Sequence, residues 1–376
     1  MKKEIGLLNT KPGNWVTSKW MDLGVFLIPV WVMWAVFLMF QNSFSNLDLP
    51  LWAWVVFILG LDVSHVWSSL FRTYLDKEEF QAQKRVLILA PIAALLLSIL
   101  LLYFGPWLFW RIMAYLAVFH FIKQQYGFVA LYKVRAKEKY KGLISDKLIV
   151  YIATVYPLVF WHFNSSSNIN WFVKNDFFQL HQYLPETTVQ TLFSILNILY
   201  WSIIIGWVLV QIKAKRTGNN ISNGKLLWIG TTAINWWFGI VYFNSDLVFS
   251  ISNVVAHGLP YLGLIYFYGN GRATLRQGKI PVVSKRLKWL GVLVATVLVF
   301  ALIEEYFWDM LVYRDHSVFF ETIYPYRWNQ LMDTWPVIIA IAFLAMPQQV
   351  HYIADGFIWK MNAKNKYLKP IFKPES

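Results

Sequence analysis

The chain has 376 residues, of which 57% are hydrophobic, 19% aromatic and only 14% charged. This composition lies outside the range of soluble domains and predicts a membrane protein, because the sequence holds several apolar runs near the 20 or so residues that one spanning helix needs. The absence of cysteine excludes disulfides, thiolate metal sites and a cysteine nucleophile. The net charge of +14 sits in short segments between apolar runs, which favours membrane orientation and argues against nucleic-acid binding.

Ten apolar runs, each bounded by charged residues, Pro, Gly or Asn, predict ten spans. These runs are longer than the roughly ten residues of a barrel strand and lack its alternating polarity, so we expect helices. The first segment is too polar for a cleaved signal peptide, and the first span should be retained. The predicted fold is all-α, a polytopic membrane helical bundle that forms one domain over 1–376. The spans lie near 22–41, 50–71, 86–104, 107–132, 147–163, 189–211, 226–243, 247–268, 287–304 and 334–358.

Segments rich in Lys and Arg alternate with segments that are nearly free of them. All but five of the 34 basic residues lie in the amino terminus, in alternate connecting segments or in the carboxyl-terminal tail. Because basic loops stay in the cytoplasm, this pattern predicts a multi-pass protein of the cell's inner membrane with both termini cytoplasmic. The exceptions are Arg111, Lys123, Lys174, Arg314 and Arg327.

Four histidines interrupt predicted spans that all run from the outside to the inside, so their depths can be compared. They lie seven to fifteen residues before the first basic residue at the inner end, or about 10 to 22 Å at 1.5 Å per residue. Ionisable side chains at membrane depth are costly and mark a functional site by default. The four are His65, His120, His257 and His351, whereas His162, His181 and His316 are expected at the outer interface.

Helical spacing gives these histidines polar neighbours, since residues three or four apart share a helix face. Candidate catalytic residues, which could orient an imidazole or bind a metal directly, are Asp62, Tyr261 and Asp355. Candidate cofactor-binding residues are Lys123, Gln124 and Gln125, of which Gln124 lies four residues after His120 and Gln125 could line a polar cavity. Lys123 has an alternative interpretation, in which its ammonium group reaches lipid headgroups. Glu304 and Glu305 end the ninth predicted span on the outer side, and we expect them to be too far away to join the histidines.

One histidine from each of four helices is the way in which helix bundles build metal sites, so we predict a metal ion as cofactor. Imidazole nitrogen suits iron, zinc and copper alike. Three alternatives remain open at this stage. The histidines could belong to a proton- or ion-coupled transporter with a His/Asp/Lys pathway, they could ligate haem as facing pairs, or they could be hydrogen-bonded packing residues.

Four short motifs contain these histidines, namely DVSH, VFHF, AHGLPY and QVHY. In order along the chain they resemble the four motif regions of the Brp/Blh-type bacterial carotene dioxygenases, polytopic proteins in which histidines on several helices hold one iron. The third motif of that family has two histidines four residues apart, whereas this chain has His257 and then Tyr261. The fourth ligand is therefore expected from His351 or from a carboxylate. The resemblance implies a non-haem iron oxidoreductase, or oxygenase, that uses dioxygen on a lipophilic substrate in the bilayer.

Overall fold

The computed structural model describes residues 13–41, 49–166, 170–323 and 334–373, and every regular element within these ranges is helical. The helix Asn223–Trp236 continues into a π-helical turn, Trp237–Tyr242, and further π-helical segments, Asp22–Leu27, Trp54–Val63 and Asp309–Tyr313, lie within longer helices. The helices are α1 Lys19–Met39, α2 Leu51–Arg72, α3 Lys77–Ala82, α4 Lys84–Phe104, α5 Pro106–Ala136, α6 Asp146–Phe163, α7 Glu186–Arg216, α8 Asn223–Trp236, α9 Asp246–Gln277, α10 Val283–Tyr313, α11 Ser317–Ile323, α12 Thr334–Leu344, α13 Met346–Ile358 and α14 Leu368–Phe372.

Within the described ranges, seven helical segments are long and apolar enough to cross a membrane: α1, α2, α4, α7, α9, α10 and the α12–α13 pair. This agrees with the membrane protein that the composition predicts. The other three predicted spans also coincide with helices, α5, α6 and α8, which are more polar or shorter. We use the term basic end for the end of the bundle at which α2, α5, α9 and α13 finish.

Helix α9 lies at the centre of the bundle. In its most apolar stretch of 18 residues, 83% of the residues are buried, whereas the corresponding share is 22% in α7 and in α10. It packs against α1, α2, α8 and α10, and it carries one of the four predicted histidines. The bundle is therefore organised around this helix, while α7 and α10 present apolar faces outward.

Close approach to α9 depends on small residues, as is usual where membrane helices meet. A Cβ atom added to Gly258 would lie 3.0 Å from the main-chain oxygen of Leu61, so this glycine lets α2 and α9 meet beside the histidines. A Cβ atom on Gly239 would lie 2.7 Å from the Cα atom of Phe249. There the turn after α8 presses directly on the first turns of α9.

Gly239→Ala should destabilise the bundle, because the added methyl group collides with main chain, which cannot rotate away. We expect a loss of about 1 to 3 kcal/mol in the free energy of unfolding, the usual cost of overpacking. Thermal unfolding of the detergent-purified protein measures it. Gly230→Ala in α8 is the matched control, since nothing lies within 4 Å of its added Cβ. Equal melting temperatures for the two variants would show that this contact is not tight.

The last predicted span is two helices. Helix α12 ends at Leu344, and α13 begins at Met346 with a proline at its start. Pro347 supplies no N–H group to the preceding turn, so the helix breaks there. The break starts a new, strongly one-sided helix whose buried side carries His351.

Candidate metal centre

The structure brings the four predicted histidines together from α2, α5, α9 and α13. One ring nitrogen from each lies within 4.8 Å of the corresponding nitrogen of every other. The Nε2 atoms of His65 and His257 are 2.9 Å apart, and those of His120 and His351 are 3.2 Å apart. All four side chains are buried, with at most 5% of any residue exposed.

The imidazoles form a closed ring of neighbours. Successive ring centroids are 4.5 Å (His65–His257), 5.0 Å (His257–His120), 4.8 Å (His120–His351) and 5.0 Å (His351–His65) apart. Two nitrogens bound to one ion at roughly 2.0–2.2 Å can be at most about 4.4 Å apart, and these four lie within 4.8 Å of one another. The group could therefore hold one metal ion after a small contraction.

The Nδ1 nitrogens of the cluster have few partners. Those of His65, His257 and His351 are buried and make no hydrogen bond with a described residue. His65 Nδ1 lies 3.6 Å from Oδ1 of Asp62, which is beyond hydrogen-bond distance. A metal-bound imidazole carries its proton on the nitrogen away from the metal and offers it to a carboxylate or carbonyl. Asp62 lies on that side of His65 and would have to move closer to accept this proton.

Asp355 lies on the inner side of the cluster. Its Oδ2 atom is 3.8 Å from Nε2 of His351 and 4.0 Å from Nε2 of His120. The Tyr261 hydroxyl donates a hydrogen bond of 2.6 Å to the other carboxylate oxygen, Oδ1. The carboxylate is thus held beside the nitrogens that would face an ion, where it could become a further ligand.

The three candidate cofactor-binding residues lie on different faces of α5. Lys123 is exposed, with its Nζ atom 5.4 Å from the ring centroid of Phe119. Gln124 donates a 2.8 Å hydrogen bond to the main-chain oxygen of His257, and Gln125 accepts one of 2.8 Å from the Thr232 hydroxyl. None of these described contacts reaches a histidine ring. Gln124 joins α5 to α9 at the level of the cluster.

Two aromatic residues that sequence reasoning did not single out pack directly on the cluster. Tyr352 stacks on His120 with centroids 4.4 Å apart, and Phe121 meets His257 at 4.5 Å. Gln348 donates a 2.7 Å hydrogen bond to the Tyr352 hydroxyl. Each aromatic residue follows a cluster histidine in the sequence, but aromatic residues are too frequent in this chain for adjacency to distinguish them.

The remaining histidines lie elsewhere, as the sequence predicts. His162 contacts the Tyr115 hydroxyl at 2.6 Å, and His316 packs against Trp54 with centroids 3.9 Å apart. His181 begins a short 3₁₀ turn between α6 and α7. None of the three belongs to the four-histidine group.

A cavity of about 910 Å³ adjoins the cluster on the side away from the basic end. Asp62 and Phe121 line it and also contact cluster histidines, so it ends one side chain away from the imidazoles. Gln348 lines it too and bonds to Tyr352, which stacks on His120. Glu304 and Glu305 line the same cavity. As expected, they do not join the histidines. The cavity nevertheless connects them to Asp62, a relation that the position of Glu304 and Glu305 along their own helix could not show.

Toward the basic end, a buried arginine closes the bundle. The Arg72 guanidinium lies 3.9 Å from the Tyr268 ring centroid and 3.3 Å from Oε1 of Glu79, and it donates to the main-chain oxygen of Ile358.

On the neighbouring surface, hydrogen bonds from Lys366, Tyr367 and Arg276 lower the pKa of Glu78 to about 2. That carboxylate therefore stays charged at neutral pH.

Fold and site together define an all-helical protein, in the part that the structure describes, with seven membrane-compatible helices and a buried four-histidine group able to hold a metal ion. No protein-family model, no characterised protein and no solved structure matches the chain.

Proposed function

We propose that this protein is a membrane-embedded, metal-dependent oxidoreductase that holds non-haem iron and acts on a lipophilic substrate with dioxygen. The convergence of four buried imidazoles carries the proposal. Without an ion, the two imidazoles of each close pair can form only one hydrogen bond with each other. In that bond the facing nitrogen of one ring must carry a proton and that of the other must be unprotonated. A metal ion uses all four lone pairs at once, which compensates the cost of burying them.

Iron and oxidation are inferred from the setting. Imidazole binds several metals, but a site inside the bilayer is reached more easily by lipids and dissolved dioxygen than by bulk water. The resemblance of the histidine motifs to the carotene dioxygenases supports the same chemistry. In this scheme the four histidines hold the ion, and Phe121 and Tyr352 exclude water. Asp62 orients the His65 imidazole, and Asp355 places a negative charge, or a further ligand, beside the ion. Bound iron would supply the activation of dioxygen.

We further propose that ten helices cross the inner membrane and that the basic end faces the cytoplasm, with both termini inside. Part of the supporting charge, in residues 1–12, lies outside the described residues. Reporter fusions at Gly142 and Leu180, on either side of α6, should report opposite compartments. The same compartment for both fusions would contradict the topology and leave α6 on one side of the membrane.

A proton- or cation-coupled carrier is the second candidate, and the carboxylates that line the cavity beside the cluster favour it. Asp62, Glu304 and Glu305 would then form the pathway toward the histidines. Such a carrier moves its cargo unchanged, so the two functions differ in whether the substrate is chemically altered.

Lipid extracts from cells that produce the wild type, His351→Ala or His181→Ala test the oxidoreductase. Mass spectrometry should find an oxidised lipophilic product in the wild type and in His181→Ala, and only in cells grown with air. His351→Ala should lack it, because one ligand is missing. Identical extracts from the wild type and His351→Ala would refute oxidation and favour the carrier.

A further inference from the structure

We propose that the cavity beside the histidine cluster binds a lipophilic amine, an apolar body that carries a protonated nitrogen. This inference rests on the proposed function and names the class of its substrate. The cavity measures about 910 Å³, enough for a molecule of drug size or larger.

The cavity leads to the cluster. Each of the four histidine-bearing helices lines it with residues that precede the histidine, namely Asp62, Ala117, Asn253 and Gln348 among others. Its far end is formed by the turn before α9 and by the end of α10, including Asp246 and Tyr313. A molecule that enters there would place its inner end against Asp62 and Phe121, next to the histidines.

The lining is acidic. It includes Asp62, Asp246, Glu304 and Glu305, and the described lining residues include no Lys, Arg or His. Two of these carboxylates are engaged: Asp246 accepts from the main-chain N–H of Asn170 at 3.1 Å, and Glu304 accepts from the Trp67 indole at 2.6 Å. Glu305 has no hydrogen bond or ion pair with a described residue, and Asp62 has only its 3.6 Å contact with His65.

An unpartnered amide points to the same kind of ligand. Asn253 is 2% exposed and lines the cavity, and its Oδ1 atom has no hydrogen-bond partner among the described residues. Buried acceptors without a donor cost free energy, and a carboxylate without a counter-ion costs more. An ammonium group supplies both the charge and several N–H donors. A hydrocarbon or an anion supplies neither.

Aromatic rings make up much of the remaining wall. Trp308 stacks near Tyr313 with centroids 5.5 Å apart, and Trp110 stacks on Phe172 at 5.3 Å. All four line the cavity. Such faces bind an apolar body and also attract cations. The combination of aromatic walls and free carboxylates therefore selects amphipathic cations over neutral or anionic lipids.

Three probes that share the adamantane cage and differ in their polar group test whether the cavity prefers an amine: 1-adamantanamine, 1-adamantanol and 1-adamantanecarboxylate. Binding of radiolabelled forms to the full-length protein in nanodiscs, with empty nanodiscs as background, gives the affinities. We expect the amine to bind about tenfold more tightly than the alcohol, and the carboxylate to stay at background. Equal affinity for the amine and the alcohol, or tighter binding of the carboxylate, would overturn the proposal.

Glu305→Gln should weaken amine binding about tenfold while leaving alcohol binding unchanged, which also shows that the variant is folded. Glu186→Gln, at the exposed start of α7, is the matched control and should bind like the wild type. Wild-type affinity in Glu305→Gln would contradict the role of this carboxylate.

Metal analysis of the same samples separates the two proposals. A metal-free wild type that still prefers the amine refutes the metalloenzyme and keeps the amine site. A metal-loaded wild type without that preference refutes the amine site alone.

Discussion

Alanine at His120 or at His351 should strip most of the metal from the purified protein. Each substitution opens the ligand set of an ion that is otherwise held by four imidazoles, and the vacated volume is too well buried for another strong ligand to enter readily. Elemental analysis after detergent purification should give about one metal ion per wild-type chain and roughly a tenth of that, or less, in either variant.

The outer histidines provide the control for this experiment. His181→Ala changes a surface turn, and His316→Ala changes a ring that packs on Trp54, so neither touches the cluster. Both should keep the wild-type metal content. Equal metal loss from the inner and outer histidines would mean that the metal is bound nonspecifically, and the four-histidine site would be wrong.

Asp355→Asn should weaken metal binding by roughly 10- to 100-fold, the usual effect of removing a carboxylate that supports metal ligands. Its Oδ2 atom lies near two of the four Nε2 atoms, so it stabilises positive charge there. Tyr261→Phe should have a smaller effect in the same direction, because it leaves the carboxylate but removes the 2.6 Å hydrogen bond that holds it. Competition with a chelator gives the affinities.

A double-mutant cycle tests whether Tyr261 acts through Asp355. If it does, the double variant should lose no more affinity than Asp355→Asn alone. Asp315→Asn, at an exposed position, should keep wild-type affinity. Full additivity of the two single effects would show that Tyr261 acts independently of the carboxylate.

The helices could be read from the sequence because apolar runs and basic segments alternate so regularly. Their internal breaks could not. The run 334–358 looks like one span, yet Pro347 divides it into α12 and α13, and that division turns His351 toward the cluster. Helix α8 likewise ends in a π-helical turn where Gly239 meets Phe249. Both features depend on local hydrogen bonding, which a count of apolar residues does not describe.

The cluster could be predicted because four ionisable residues at similar depth are expensive unless they meet. The residues that surround the cluster depend on how each helix is rotated about its own axis, and the packing of the helices sets that rotation. Gln124 and Gln125 are adjacent in the sequence, but one bonds to α9 and the other to α8. Glu304 and Glu305 looked remote because depth along α10 does not show that a cavity connects them to Asp62.

X-ray absorption at the metal edge of the purified wild type tests the central claim most directly. The account predicts an iron edge, nitrogen neighbours at about 2.0 to 2.2 Å and the outer-shell scattering of several imidazoles, in a sample without the Soret band of haem. A metal-free protein that retains its activity, or a metal whose spectrum shows no imidazole, would contradict the claim that His65, His120, His257 and His351 hold one ion.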